Sequence, residues 1–423
     1  MKILFAVSVF DIGGAEVLAL ELTQKLHERG HEIILYAANE KVFNKELAAK
    51  YSPYIKARYS LANWSVVNFA THKLNAIFRR LGFGDSVSKR VRSYHLRSVI
   101  KAEKVDLVCS HSPRSDAICK EAMKGLDVPL IIVEHGIYSH YLHSGKKQLL
   151  APLSAATEII AVSDFCNQQI KSHMGNSAAV TTISNGVDVV PTNARAQIRS
   201  ELGIKDGDIV FGLAARGVAK KGWEPAIEAF LKLKSETDKR IHLVLIGGSR
   251  YVDKLKARFK DQKEIHFIGK VSHPVGYIEA VDVGLMLSMY KTEALSLVAI
   301  EFLKLGKPVI ATNVGGVPEV FQFKGDTPCQ LIDLEGDGTI NTEELKNVML
   351  GFVNHKSSLV LDPVQMEPVF KKFSMETCAQ SYETFFNRIV SNHTNNQSTT
   401  NRVQHRPFAL QGKKAKHTEL LEF

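Results

Sequence analysis

Lys291-Thr-Glu-Ala-Leu-Ser-Leu-Val-Ala-Ile-Glu301-Phe-Leu-Lys-Leu-Gly-Lys-Pro-Val-Ile-Ala-Thr-Asn-Val-Gly-Gly-Val-Pro-Glu319 is the most informative stretch of this 423-residue chain. Its apolar spacing predicts a helix that Gly306 ends, and Pro308 opens a strand running into Gly315-Gly316. Glu293 and Glu301 lie eight positions apart around the start of that helix. The pattern reads as a pocket floor at the carboxyl end of a parallel sheet. It offers two carboxylates for hydroxyl groups and free backbone N–H groups for an anion.

Outward from this stretch, short apolar runs alternate with helical patterns along the chain. Lys2–Ser8 is followed by the Asp11–Gly14 loop and a helix that stops at Gly30, and then by a strand at Glu32–Ala38. Further strands are expected at 105–110, 130–134, 158–162 and 180–183. Val189–Asn193 reads as a linker, after which strands recur at 209–215, 242–246, 265–268, 283–287 and 309–312. Continuous apolar runs separated by helices mean parallel strands covered on both faces. The expected architecture is α/β, with two Rossmann-like doubly wound domains facing across a cleft. Residues 1–190 form the first domain and 191–373 the second. A helix over 374–390, carrying Tyr382, Phe385, Phe386 and Ile389, is expected to cross back onto the first. The Asn/Thr/Ser/Gln-rich and then basic residues 391–423 read as a disordered tail.

Composition narrows the function classes. With 45% hydrophobic and 23% charged residues the chain is of soluble globular type. No run approaches the ~18 apolar residues of a spanning helix. The apolar start is short and runs straight into Asp11, which favours a first strand over a signal peptide. Five scattered cysteines lack disulfide or metal spacing, so the expected location is cytoplasmic. The net charge of +10 is local: eleven Lys or Arg against two acidic residues between Lys56 and Lys104 give +9. That segment includes an expected amphipathic helix, Ala62–Leu81. A core-facing helix with a solvated rim is the plain account of it. An anionic membrane surface or a phosphate-bearing lipid is the functional one, placing the protein peripherally on the inner face of the membrane. Nucleic acid is disfavoured, since neither a reader motif nor interleaved stacking aromatics accompany the charge.

The second domain's first strand leads into Arg216-Gly-Val-Ala-Lys220-Lys221-Gly222 and then a helix. An arginine fork, a lysine point charge and a helix start suit a diphosphate; alone, the segment equally fits a solvated basic turn. Glu293 and Glu301 could likewise be a surface glutamate and one favoured by a helix dipole. The order and spacing of all these pieces decide between the readings.

Together with Gly13-Gly14-Ala15-Glu16, Glu134-His135-Gly136, Ala161-Val162-Ser163, Ser184-Asn185-Gly186-Val187-Asp188 and Ile246-Gly247-Gly248, they resemble the retaining glycosyltransferases of family four, which have the GT-B fold. The resemblance covers roughly residues 1–390. It implies a nucleotide-diphosphate sugar as donor substrate, no cofactor and no obligatory metal. It implies that Arg216 and Lys221 hold the diphosphate, Glu301 the ribose, and Glu293 the hydroxyls of the transferred sugar. Gly13, Gly14, Gly315 and Gly316 would line the donor site, and His135 would lie near the reacting face. The loop Met289–Thr292 is longer than the family's usual one. A glycan or lipid-linked acceptor is the expected partner, in surface polysaccharide or glycolipid biosynthesis. Another sugar-nucleotide enzyme such as an epimerase, or an inactive binder or scaffold of the same fold, are the alternatives.

Two further patterns are set aside. His135, His140 and His143 lack a good ligand spacing. Residues 333–344 resemble an EF-hand loop, but position three is Glu and a strand-like run stands where the entering helix should be.

Overall fold

Lys2-Ile-Leu-Phe-Ala-Val7 and Ile209-Val-Phe-Gly-Leu-Ala214 lie inside two separate parallel sheets, each strand flanked on both sides. A computed structural model describes residues 1–8, 14–38, 50, 53–60, 69, 70, 73, 74, 76, 80, 86–323, 328–355 and 360–399. Of the expected helix Ala62–Leu81 only residues 69, 70, 73, 74, 76 and 80 are described, all of them helical, and Gly13 lies outside the described residues. The chain divides into two compact units, one of residues 1–160, 178–181 and 380 onward, the other of 161–177 and 182–379.

The first sheet is built from β1 (Lys2–Val7), α1 (Gly14–Glu28), β2 (Glu32–Ala37), β3 (Lys56–Tyr59), α2 (Ser86–Glu103) and β4 (Leu107–Ser110). It continues through α3 (Pro113–Ala122), β5 (Leu130–Glu134), α4 (Ile137–His143), β6 (Glu158–Ala161), α5 (Asp164–Met174) and β7 (Val180–Thr182). Its order is β3-β2-β1-β4-β5-β6-β7. Ile3, Leu4 and Phe5 are fully buried, as a strand covered on both faces requires. β3 was not foreseen, because its Lys-Ala-Arg-Tyr sequence looks polar. It is an edge strand, and Lys56 and Arg58 both bind Glu103 at 2.7 Å.

The second sheet follows from α6 (Arg195–Glu201), β8 (Ile209–Ala214), α7 (Trp223–Glu236), β9 (Ile241–Ile246), α8 (Arg250–Arg258), β10 (Ile265–Gly269) and α9 (Val275–Ala280). It is completed by β11 (Val283–Met286), α10 (Leu297–Lys304), β12 (Val309–Thr312), β13 (Gln330–Ile332) and α11 (Thr342–Asn354). The order is β10-β9-β8-β11-β12-β13, with every neighbouring pair parallel. Trp223, Phe230 and Leu233 of α7 share a core with Phe211, Leu243 and Leu345.

The chain closes with α12 (Pro363–Lys372) and α13 (Met375–Thr399). Tyr382, Phe385, Phe386 and Ile389 are buried, as their spacing requires. Within the first unit, Phe386 meets Phe5 edge-on at 6.4 Å, and Glu383 accepts from Arg29 at 2.6 Å and lies 3.0 Å from His31. α13 continues nine residues beyond the point where the sequence composition predicts disorder. Helix extension adds one hydrogen bond per residue once a nucleus is fixed, and no Gly or Pro interrupts 391–399.

Candidate functional site

In the second sheet β8 lies between β9 and β11, so the chain turns in opposite directions from β8 and from its neighbour. Such a switch point leaves a crevice at the carboxyl ends of the two strands. The loops that end there are Ala215–Gly222 after β8 and Leu287–Ser296 after β11. They carry Arg216, Lys221 and Glu293.

Sequence places these side chains through a few specific contacts. Trp223, fully buried at the start of α7, donates its indole N–H to the Arg216 carbonyl at 2.9 Å. This fixes the turn while the Arg216 side chain stays exposed. The Met289 N–H donates to the Lys220 carbonyl at 2.8 Å, tying the two loops together. Lys221 Nζ then lies 2.6 Å from Glu293 Oε2, and both side chains are largely withdrawn from water. The same Oε2 accepts from Ser288 Oγ at 2.5 Å. The Tyr290 ring centroid lies 5.7 Å from Lys220 Nζ and 5.6 Å from Lys221 Nζ.

The Gly-Gly loop after β12 supports Glu293 from beneath. Gly316 donates its N–H to the Glu293 carbonyl at 2.8 Å. Gly315 has φ +54°, and a Cβ there would fall 2.1 Å from the same carbonyl oxygen. At Gly316 a Cβ would fall 2.0 Å from the Ala294 carbonyl. Both positions need glycine, one for its backbone conformation and both for close approach. Their main role in this structure is thus to seat the Glu293 main chain. At the far end of the loop, Glu319 accepts from the Asp164 and Phe165 N–H groups at 2.9 and 2.8 Å, capping α5. Sequence alone gives Glu319 no role; an acid three residues after the Gly315-Gly316 pair is the cue it offers.

Glu301 is the fifth residue of α10 rather than a residue at its start, and the helix is capped by Ser296. No acidic residue occupies the first turn, so dipole stabilisation does not account for Glu301. Gly14 is the first residue of α1.

His135 belongs to the first unit, at the carboxyl end of β5. Its Nε2 is 3.1 Å from Nδ1 of His111, which follows β4, and the rings stack at 5.4 Å. His111 also stacks on Phe5 at 5.3 Å. Burial depresses the His135 pKa to about 4, and burial together with His135 pushes His111 well below the ordinary value. His135 is therefore a neutral hydrogen-bonding group at physiological pH. His111 was missed, although its place directly after a strand was a usable signal. Glu134, fully buried, accepts from the Tyr138 and Ser139 N–H groups at 3.0 and 2.7 Å and so anchors α4.

The neutral histidines set an acid limit on stability. A histidine whose folded pKa is lowered binds fewer protons folded than unfolded, so its stabilisation is complete above about 6.5. It is lost as pH falls toward about 4, the value to which His135 and, in the second unit, His266 are depressed. Melting temperature is expected to fall steadily between pH 6.5 and 4 in differential scanning calorimetry, and a flat profile over that window would contradict this.

Residues 333–341 form an ordinary turn between β13 and α11, and 342–344 are the first turn of that helix. Asp337 Oδ1 accepts from Thr339 N and Oγ1 at 2.9 and 2.6 Å, and Asn341 caps α11. A strand, β13, precedes the turn where an EF-hand has a helix. Among the described residues no group of three His, Cys, Asp or Glu side chains is arranged to hold a metal.

Two Rossmann-like parallel α/β units, with a cation–carboxylate pair at the second sheet's switch point, define a GT-B glycosyltransferase. A family model for Glycosyltransferase Family 4 matches residues 12–190, and one for Glycosyl transferases group 1 matches residues 194–325. The chain belongs to the family-four glycosyltransferases. It is 23% identical over 409 residues to N-acetyl-alpha-D-glucosaminyl L-malate synthase of Bacillus anthracis, covering 93% of this chain and 99% of that protein. It is 26% identical over 191 residues to the GDP-mannose-dependent alpha-(1-6)-phosphatidylinositol monomannoside mannosyltransferase of Mycobacterium tuberculosis, covering 42% and 49%. HepE of Anabaena, solved with UDP and glucose, has the same fold, with a TM-score of 0.72, 18% identity and coverage of 92% and 99%.

Proposed function

We propose that this glycosyltransferase moves a hexosyl-type sugar from a nucleotide-diphosphate sugar to a glycan or lipid-linked acceptor, with retention of configuration. The observation that carries the reading is the Lys221–Glu293 pair, 2.6 Å apart at the switch point, with Arg216 on the same loop as Lys221. Arg216 and Lys221 supply the positive charge that a departing diphosphate needs. A divalent ion would supply the same charge, so activity is expected to survive chelation by EDTA. The bond from the anomeric carbon to the diphosphate oxygen breaks, and the carbon bonds to the acceptor oxygen on the same face. The acceptor proton passes to a donor phosphate oxygen. Glu293 is engaged by Lys221 and Ser288, which suits a hydroxyl acceptor better than an attacking nucleophile. Glu301 is assigned to the ribose, Gly13 and Gly14 to backbone approach, and neutral His135 to hydrogen bonding near the reacting carbon.

UDP and glucose bound to HepE, and the GDP-mannose and phosphatidylinositol chemistry of the mycobacterial relative, support a sugar nucleotide and a glycolipid or polysaccharide pathway. A panel of UDP-, GDP- and ADP-sugars, scored by thermal shift and slow donor hydrolysis, tests this. Stabilisation by one class with hydrolysis is expected. If none stabilises the protein, the transferase reading fails; binding without turnover on any acceptor would favour an inactive binder.

We further propose a peripheral position on the cytoplasmic face of a membrane. Among the described residues, the basic segment has bound and exposed cations. Lys56, Arg58, Arg92 and Arg97 are bound within the first unit, to Glu103 or to backbone carbonyls. Lys89, Arg90 and Lys101 of α2 remain exposed beside Tyr94, which is 74% exposed. A cationic helix face with a protruding tyrosine suits an anionic interface. Sedimentation with phosphatidylglycerol vesicles, but not phosphatidylcholine vesicles, is expected, weakening with salt. Salt-insensitive binding or none would count against it. Among the described residues no helix is long and apolar enough to cross a membrane.

A further inference from the structure

Among the described residues, the Glu293 carboxylate is held through one oxygen. Both of its side-chain partners, Lys221 Nζ at 2.6 Å and Ser288 Oγ at 2.5 Å, meet Oε2. Ser288 is 1% exposed and is itself fixed: its Oγ lies 3.4 Å from the Tyr290 N–H, and its carbonyl accepts from Thr312 Oγ1 at 2.6 Å. Thr312, at the end of β12, is fully buried. The line Thr312–Ser288–Glu293 thus runs from the sheet to the carboxylate.

The two partners differ in one respect. Lys221 stands on the flexible stem of a long side chain and, on the reading above, must turn to the diphosphate when donor binds. Ser288 has a single short rotor inside the unit, and among the described residues its hydroxyl donates to Glu293. An unsupported carboxylate would then be free to rotate or to follow Lys221. We propose that Ser288 is the positioning residue of the sugar subsite. It keeps Glu293 Oε2 anchored when Lys221 exchanges the carboxylate for phosphate, and so presents Oε1 to a hydroxyl of the transferred sugar. Four residues of non-helical chain, Met289–Thr292, separate Ser288 from Glu293, so the main chain alone does not fix the carboxylate. This inference rests on the transferase reading.

Calorimetric titration separates the two. Wild-type protein is titrated with UDP and UDP-glucose, UDP and UDP-N-acetylglucosamine, and GDP and GDP-mannose. For one donor the sugar nucleotide should bind tighter than its free diphosphate. If no nucleotide binds, the transferase reading itself is wrong. Ser288→Ala should retain wild-type affinity for the free diphosphate and lose about tenfold to a hundredfold in the affinity added by the sugar, as for a hydrogen bond to a charged group. Glu293→Gln should lose a similar factor, and the double variant little more than either, since neighbours acting through one contact are not additive. An unchanged sugar increment in Ser288→Ala would overturn the inference. So would full additivity in the double variant, or a parallel loss of free-diphosphate affinity, which marks general loosening of the loop.

Discussion

Lys221→Ala is expected to lower kcat by about a hundredfold to a thousandfold, the range seen when one preorganised group stabilising transition-state charge is removed. Two effects combine. The leaving diphosphate loses a cation, and Glu293 loses the partner 2.6 Å away that balances its charge in a site largely closed to water. On the proposed reading Arg216, on the same loop, still holds the diphosphate, so KM should rise far less than kcat falls. The fold should persist, because Lys221 lies in a short 3-10 turn, Ala219–Lys221, none of whose own residues is buried. Steady-state kinetics with a melting curve on the same sample decide this. A variant within threefold of wild type would remove Lys221 from the chemistry.

The second large effect is expected at Gly315, a position with no charge at all. Gly315→Ala places a Cβ 2.1 Å from the Glu293 carbonyl oxygen, at a backbone φ of +54°. The left-handed conformation alone costs about 1–2 kcal/mol for a residue with a Cβ. The clash adds more, and relieving it must break the 2.8 Å bond from Gly316 N–H to that carbonyl. Melting temperature should fall by about 5–10 °C, with loss of most transfer activity as Glu293 moves. Gly306→Ala is the matched control: φ is +71° but nothing lies within 4 Å of the added Cβ. It should show a smaller drop in melting temperature and near-normal kcat. Equal loss of activity in both variants would mean that the Gly-Gly loop does not act through Glu293.

How much of this was legible before the structure differs by residue. Apolar runs such as 130–134 and 309–312 were found to the residue, because buried parallel strands are continuous in hydrophobicity and bounded by turn formers. The edge strand β3 was hidden, since an edge needs charge rather than apolar continuity. Arg216 and Lys221 could be picked out because they flank a glycine-containing turn after a strand, and Glu293 because of its spacing to Glu301 and Gly315-Gly316. Their pairing was not legible: it depends on β8 and β11 being neighbours, which strand order alone decides. Ser288, Thr312, His111 and Glu319 were not visible as site residues. Each is an ordinary residue type whose meaning comes from one contact across the fold. Glu301 was expected near the helix start, but Ser296 is the cap and Glu301 is the fifth helical residue.

The measurement that bears most directly on the central claim is a proton NMR time course of donor breakdown with an α-linked sugar nucleotide from the panel, such as UDP-glucose. The account predicts that the donor is consumed by wild type and spared by Lys221→Ala, and that the α-anomer of the sugar appears first, before mutarotation. Appearance of the β-anomer first, or no consumption of any donor in the panel, would contradict it.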